Sequence, residues 1–384
     1  MLRSLTALVM ILAFTTDLAS QRHYVVSARA DLVSGGGSGS AEPVFFATYP
    51  SIQMTSRAAH SALDLSYSFG LNRADYDSDS HIASARFSTS SRQWSLSLSE
   101  SFEMTSDFTT FNALRGVEPT SDGFRFLFEP VVARSSSMTN SASAYVGRVL
   151  NQRSTLSASG SYSRRNYDDN PIFNGSLSDQ SRVSANVSYS RKLSPRSDVG
   201  LGYGVTHYDF KEFGKAASHA FNVVYSHRFS PTLTLQSVVA PSRVNIQGHR
   251  TRGLGYNASV SLYKILKSNT FSFNYWRNNG ESSGEGYISE TQQVGLGVAR
   301  RLGRRTGTSG NVSVFYTRPK VEDVSGMRGI SAAVAVGIAL NRAVSLNLGG
   351  QYQRYDQTSV FAFEQKRLFF SLRFNAPELW RFSR

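Results

Sequence analysis

The stretch Val183-Ser184-Ala185-Asn186-Val187-Ser188-Tyr189-Ser190 decides the fold class. Every second side chain is apolar and every one between is small and polar, so the segment is a strand with one apolar and one polar face. The same period of two recurs on both sides of it. Leu63, Leu65, Tyr67, Phe69 and Leu71 alternate with Asp64, Ser66, Ser68 and Gly70. Trp94, Leu96 and Leu98 alternate with serines, Val199 to Val205 with glycines, and Val344 to Leu348 with Ser345 and Asn347.

The pattern holds from about residue 59 to residue 374. Short joints fall near 90–92, 150–153, 192–197, 229–231, 265–268, 302–307 and 341–343. Longer polar joints fall between them, near 72–80, 103–136, 166–179, 209–217, 243–252, 277–289, 317–327 and 354–364. Seven short and eight long joints separate sixteen strands. A hairpin period of roughly 36 residues also fits a solenoid or propeller. However, no repeat signature recurs, and alternating joint lengths are not a solenoid property.

Composition narrows the setting. The chain has 384 residues, 18% charged, with 18 Tyr, 25 Phe and a net charge of +14. Charged residues are scarce relative to about 25% in soluble domains. The aromatics exclude a disordered chain, and the absence of cysteine excludes disulfide scaffolds, Cys-ligated zinc and thiol catalysis. Leu5–Phe14 is too short to span a bilayer as a helix and fits the apolar region of a secretory signal, expected over 1–20. Residues 21–58, with the SGGGSGS run at 34–40, are expected to be a flexible lead-in or plug.

An apolar sheet face must be covered. Three features favour lipid. The polar face is Ser, Asn, Gly, Thr and Gln rather than Lys and Glu. Tyr67, Phe102, Tyr162, Tyr275, Tyr316 and Tyr352 fall where strands meet long loops, while Phe87, Tyr145, Tyr189, Tyr225 and Phe374 fall near short turns, as two aromatic belts would. Short turns on one side and long loops on the other match antiparallel barrels that must close in lipid. Fourteen basic residues flank the short turns against one acid, Asp198, while the long loops hold nineteen of the 27 acids. The expectation is an all-β, closed antiparallel transmembrane β-barrel of about sixteen strands (fourteen to eighteen), with short periplasmic turns and long extracellular loops. The barrel spans 59–374 and a C-terminal tail spans 375–384.

These strands, the signal-like LTALVMILAF and the final strand Arg367–Phe374 (RLFFSLRF) together resemble bacterial outer-membrane β-barrel proteins, the porin-like ones by strand count. The resemblance implies export to the bacterial outer membrane, lipid and lipopolysaccharide around the barrel, and insertion by the barrel-assembly machinery through Arg367–Phe374. The family's usual end is an aromatic at the very C-terminus. Here ten residues follow Phe374, so either they trail into the periplasm or Phe382 supplies that aromatic.

Enzyme and cofactor signatures are missing. Gly200-Leu201-Gly202-Tyr203-Gly204 lies inside an alternating strand and is no phosphate loop. Asp75, Asp77 and Asp79 lack the glycine and glutamate of a calcium loop. His207 with Asp209 would need a nucleophile within reach to form a hydrolase site. No catalytic residue, metal or cofactor is expected, and no nucleic acid, because the basic residues are split among separate turns. A barrel this wide holds an aqueous path unless plugged. The expected function is therefore a porin-like passive diffusion channel for small solutes. The alternative is a closed structural or surface-interaction barrel associated with exopolysaccharide export or anchoring. Parity assigns Arg86, Arg148, Arg165, Arg182, Arg228, Arg367 and Arg373 to the lumen with Asp64, which predicts a mild anion preference. The long loop at 103–136 carries Arg115, Glu118, Asp122, Arg125 and Glu129. Either it folds inward as a constriction, or Phe124–Phe128 extends the next strand.

Overall fold

A computed structural model describes residues 21–37, 40–73, 78–105, 118–120, 123–125, 136–167, 178–211, 214–247, 254–281, 288–320, 326–341, 343–357 and 361–382. The expected signal segment, 1–20, lies outside them. The strands are β1 (Gln21–Gly37), β2 (Ser40–Arg57), β3 (Ser61–Arg73), β4 (Ser78–Ser90), β5 (Trp94–Thr105), β6 (Glu118–Thr120), β7 (Gly123–Arg125), β8 (Ser137–Asn151), β9 (Ser154–Tyr167) and β10 (Gln180–Ser194). They continue with β11 (Ser197–Phe210), β12 (Gly214–Ser230), β13 (Leu233–Ile246), β14 (Leu254–Leu266), β15 (Asn269–Glu281), β16 (Ile288–Arg301), β17 (Thr306–Pro319), β18 (Met327–Ala339), β19 (Val344–Gln357) and β20 (Phe361–Phe382).

Apart from the two-stranded sheet β6–β7, the strands form one 18-stranded antiparallel sheet in which neighbours in sequence are neighbours in space. β1 pairs with both β2 and β20, which closes the barrel. The sixteen strands expected between 59 and 374 are β3–β5 and β8–β20. Two more come from the segment expected to be a flexible lead-in, so the count is eighteen. The physical reason is closure. Without β1 and β2, one edge of β3 and one of β20 would be left open with unpaired backbone groups. The glycine-rich run around 34–40 spans the β1–β2 joint at the long-loop end. β20 runs on through Phe382, where Tyr24 faces Trp380 and Arg22 faces Phe382 along the backbone. The segment expected as a tail therefore extends the last strand.

The register assigns every side chain to one of two faces. On one stand Ile52, Tyr67, Phe87, Val187, Leu201, Phe221, Leu296, Val314, Val334 and Phe370, most of them widely exposed. This is the outer surface of the barrel. The other face is lined by small polar residues joined across strands. Hydroxyl pairs link Ser66 to Ser84 (2.7 Å), Ser99 to Ser143 (2.7 Å), Ser157 to Ser188 (2.7 Å) and Ser161 to Ser184 (2.6 Å). These bonds favour a single register, since a slip of one residue would carry each serine to the apolar outer face. Glycines let large rings lie flat against this inner wall. A Cβ at Gly349 would meet the Phe369 ring and stand 2.6 Å from the Val334 carbonyl oxygen.

Two-residue turns join strands at the short-joint end, among them Pro195–Arg196, Pro231–Thr232 and Lys267–Ser268. Lys267 takes a left-handed φ of 47°, which an L-residue with a Cβ adopts at some cost.

Candidate functional site: the polar lumen and its mouth

The inner face carries Arg86, Arg165, Arg182, Arg228, Arg367 and Arg373 of the seven arginines expected there. Arg86 stands opposite Asp64, which accepts a hydrogen bond from Thr55 Oγ1 at 2.8 Å. Arg165 Nε donates to Thr139 Oγ1 at 3.1 Å, and Arg182 lies on the neighbouring strand, opposite Ser163. The six do not form one ring. Arg165 and Arg182 lie toward the loops, whereas Arg228 and Arg373 lie near the turns at the other end. Glu103 and Asp198 share the inner face with Asp64.

Arg148 is a correction. It pairs with Trp94 on the outward face, and its guanidinium stands 5.0 Å from the centre of that indole ring. Tyr145, expected in the turn-side belt, is on the inner face opposite Ser97 and Ser159. Both errors share one cause. β8 has Ser141 and Ser143 on one face and Ala142 and Ala144 on the other, so its parity is nearly silent. The Ser99–Ser143 bond decides it. The remaining belt residues Tyr67, Phe102, Tyr162, Tyr275, Tyr316, Tyr352, Phe87, Tyr189, Tyr225 and Phe374 all take the outward parity.

Of the candidate constriction loop, Glu118 and Arg125 are backbone partners at the base of the short β6–β7 hairpin. Arg115, Asp122 and Glu129 lie outside the described residues. His207 and Asp209 are exposed on the outward parity, and no hydrogen bond to His207 is formed by the described residues. No cluster of three or more metal-ligating side chains occurs among the described residues.

The mouth is narrowed by a hairpin that sequence reading missed. The β14–β15 ladder stops at Ala258–Arg277, although both strands continue. Beyond that fork, Asn279 Nδ2 donates to Asn257 Oδ1 (2.9 Å) and Ser242 Oγ (3.2 Å), and its backbone N–H also donates to Asn257 Oδ1 (2.9 Å). Ser242 and Asn257 are inner-face residues, whereas the β15–β16 ladder gives Asn279 the outward parity. Both hold because the upper end of β15–β16 has swung inside the wall, so that its outer face lies on the inner face of β13 and β14. Gly255 permits the approach, since a Cβ there would stand 3.2 Å from Asn279 Nδ2. The swing buries Ile288 (1% exposed) in one cluster with Tyr208, Phe210, Ala216 and Val244. At the fork, Glu290 Oε2 is held by Arg277 and Lys320, both at 2.9 Å, Gln292 Nε2 donates to Oε1 (2.9 Å), and Arg277 lies 3.9 Å from the centre of the Tyr256 ring. The available signal was a break in alternation: Tyr208 and Phe210 are aromatic on the parity that carries Gly and Thr lower down β11.

No family model matches the sequence, and no curated protein matches it. Solved structures do match. OccAB4 of Acinetobacter baumannii superposes with a TM-score of 0.53 at 10% identity, over 94% of this chain and 100% of that one. OpdL of Pseudomonas aeruginosa gives 0.53 at 10% identity, over 94% and 99%. OccK2 (OpdF) of P. aeruginosa gives 0.54 at 12% identity, over 93% and 98%. At this identity the likeness is one of architecture: the chain has the closed-barrel fold of the Occ/Opd outer-membrane porins.

Proposed function

We propose that this protein is an outer-membrane channel that passes small solutes and prefers anions. The observation that carries the reading is the charge of the inner face, where Arg86, Arg165, Arg182, Arg228, Arg367 and Arg373, with Arg57, Lys192 and Arg301 toward the turns, outnumber Asp64, Glu103 and Asp198 among the described side chains. Fixed charges of one sign along a water-filled path set the sign of the permeant ion. Two of the proteins of the same fold point the same way, since OccK2 has been solved with glucuronate and OpdK of P. aeruginosa with vanillate, both carboxylates. Export through a signal at 1–20, insertion through the Arg367–Phe374 strand and residence among outer-membrane lipid and lipopolysaccharide belong to this reading, which assigns transport rather than catalysis.

The inward-folded end of β15–β16 favours a second reading, a closed structural or surface-interaction barrel, associated with exopolysaccharide export or anchoring. Conductance in a planar bilayer separates the two. Steady open-channel steps, with a reversal potential in a salt gradient that favours the anion, support the channel. Silence at all voltages supports the closed barrel.

A further inference from the structure

Among the described side chains, Glu100 is the one acid set between apolar residues of the outer rows away from the rims. Glu100 of β5 lies on the outward parity between Leu98 and Phe102, facing Ala85 on one side and Ala142 on the other. No hydrogen bond or ion pair holds it among the described residues. It lines a groove of about 400 Å³ on the outside of the barrel. Ala85, Ala142, Ala144 and Gly160 form the groove's floor, with Leu98 and Tyr162 at its sides. Elsewhere the outer rows are bulky, as with Val183, Val187, Leu201, Tyr203 and Phe221 on β10–β12.

A carboxylate facing acyl chains is costly, and small residues on a membrane surface let another backbone approach closely. The concavity and the acid therefore point to a protein partner. The same facet supplies the complement. Arg164 of β9 is on the outward parity, one step above Tyr162, exposed, and its Nε donates only to the neutral Asn166 Oδ1 at 3.1 Å. A face with one acid and one base is self-complementary when two copies meet across a two-fold axis.

We propose that this facet, over β4, β5, β8 and β9, is where a second copy of this chain docks in the membrane, with Glu100 of each copy meeting Arg164 of the other. The inference rests on the membrane-spanning reading. Failure of that reading would appear separately, as absence of the chain from the outer-membrane fraction.

The chain has no cysteine, so one introduced thiol reports unambiguously. Ala144→Cys, in the floor of the groove, is compared in native membranes with Val334→Cys on β18 across the barrel. The expected result is an oxidised dimer from the first and little from the second. In the Ala144→Cys background, Glu100→Gln and Arg164→Gln should each lower the dimer yield by about tenfold. The exchange Glu100→Arg with Arg164→Glu should restore it. Retention of heat-modifiable migration on gels confirms that each variant has folded. Equal yields from the two cysteine positions would overturn the proposal, as would a yield unmoved by Glu100→Gln. A cross-linked species whose mass is not twice that of the chain would also overturn it, and would assign the groove to a different protein.

Discussion

Ile288 of β16 and Tyr208 of β11 share one buried apolar cluster, although four strands separate them around the wall. Two strands that far apart meet only across the opening of a barrel, so the contact marks where the mouth is narrowed. The contact is apolar, and its strength comes from area removed from water rather than from directed bonds.

Ile288→Ala should loosen this closure. Truncating a buried isoleucine costs about 2–5 kcal/mol in a well-packed core. Here that loss falls on the docked hairpin end, so the barrel itself should unfold at an unchanged urea concentration. Single-channel recording should show a larger unit conductance than in the unmodified protein. Unchanged conductance would mean that the narrowest point lies elsewhere.

Glu290→Gln should free the same hairpin from its base. It leaves Arg277 and Lys320 facing each other without the shared carboxylate, at a cost of about 1–3 kcal/mol for hydrogen bonds made by charged groups. Amide exchange at the upper ends of β15 and β16 should accelerate while exchange in β3 and β4 stays as it was. Uniform acceleration throughout would show instead that the whole barrel had been weakened.

Replacing Arg165, Arg182 and Arg228 together with serine should shrink the anion preference. Arg148→Ser should leave it unchanged, because Arg148 stands over Trp94 on the outer face. The difference should be visible in reversal potentials near 0.1 M salt and fade toward 1 M, as the screening length falls from about 10 Å to about 3 Å. Cation preference in the unmodified channel would refute the reading.

Orientation is testable with protease sites. An insertion after Gln247, in a long joint, should be cut in intact cells. One at Gly303, in a short joint where a Cβ would meet nothing within 4 Å, should be protected. The reverse pattern would invert the topology, and cutting at both would contradict a membrane-embedded barrel.

Lys267→Gly should stabilise the protein by about 0.5–1 kcal/mol, because glycine adopts the left-handed φ of the two-residue turn without a Cβ penalty. The check is a higher urea midpoint for unfolding in lipid vesicles, with Ser268→Gly as a control.

The sequence by itself determined the class of fold, the sixteen strands from β3 to β20 and most of the two faces, because period two is a local property that each strand carries alone. It failed where locality fails. β1 and β2 read as a lead-in, since what makes them strands is the open edge each covers, and an edge exists only once the sheet has curled round. The parity of β8 was undecidable between Ser143 and Ala144 until Ser99 on the next strand chose one. The inward fold of β15–β16 needed the tertiary structure outright. Ile288's partners Tyr208 and Val244 lie 80 and 44 residues earlier in the chain. Such a contact costs loop-closure entropy and is stabilised only by burial that the assembled wall provides, so the break in alternation at Tyr208 and Phe210 marks an unusual inner face without naming what covers it.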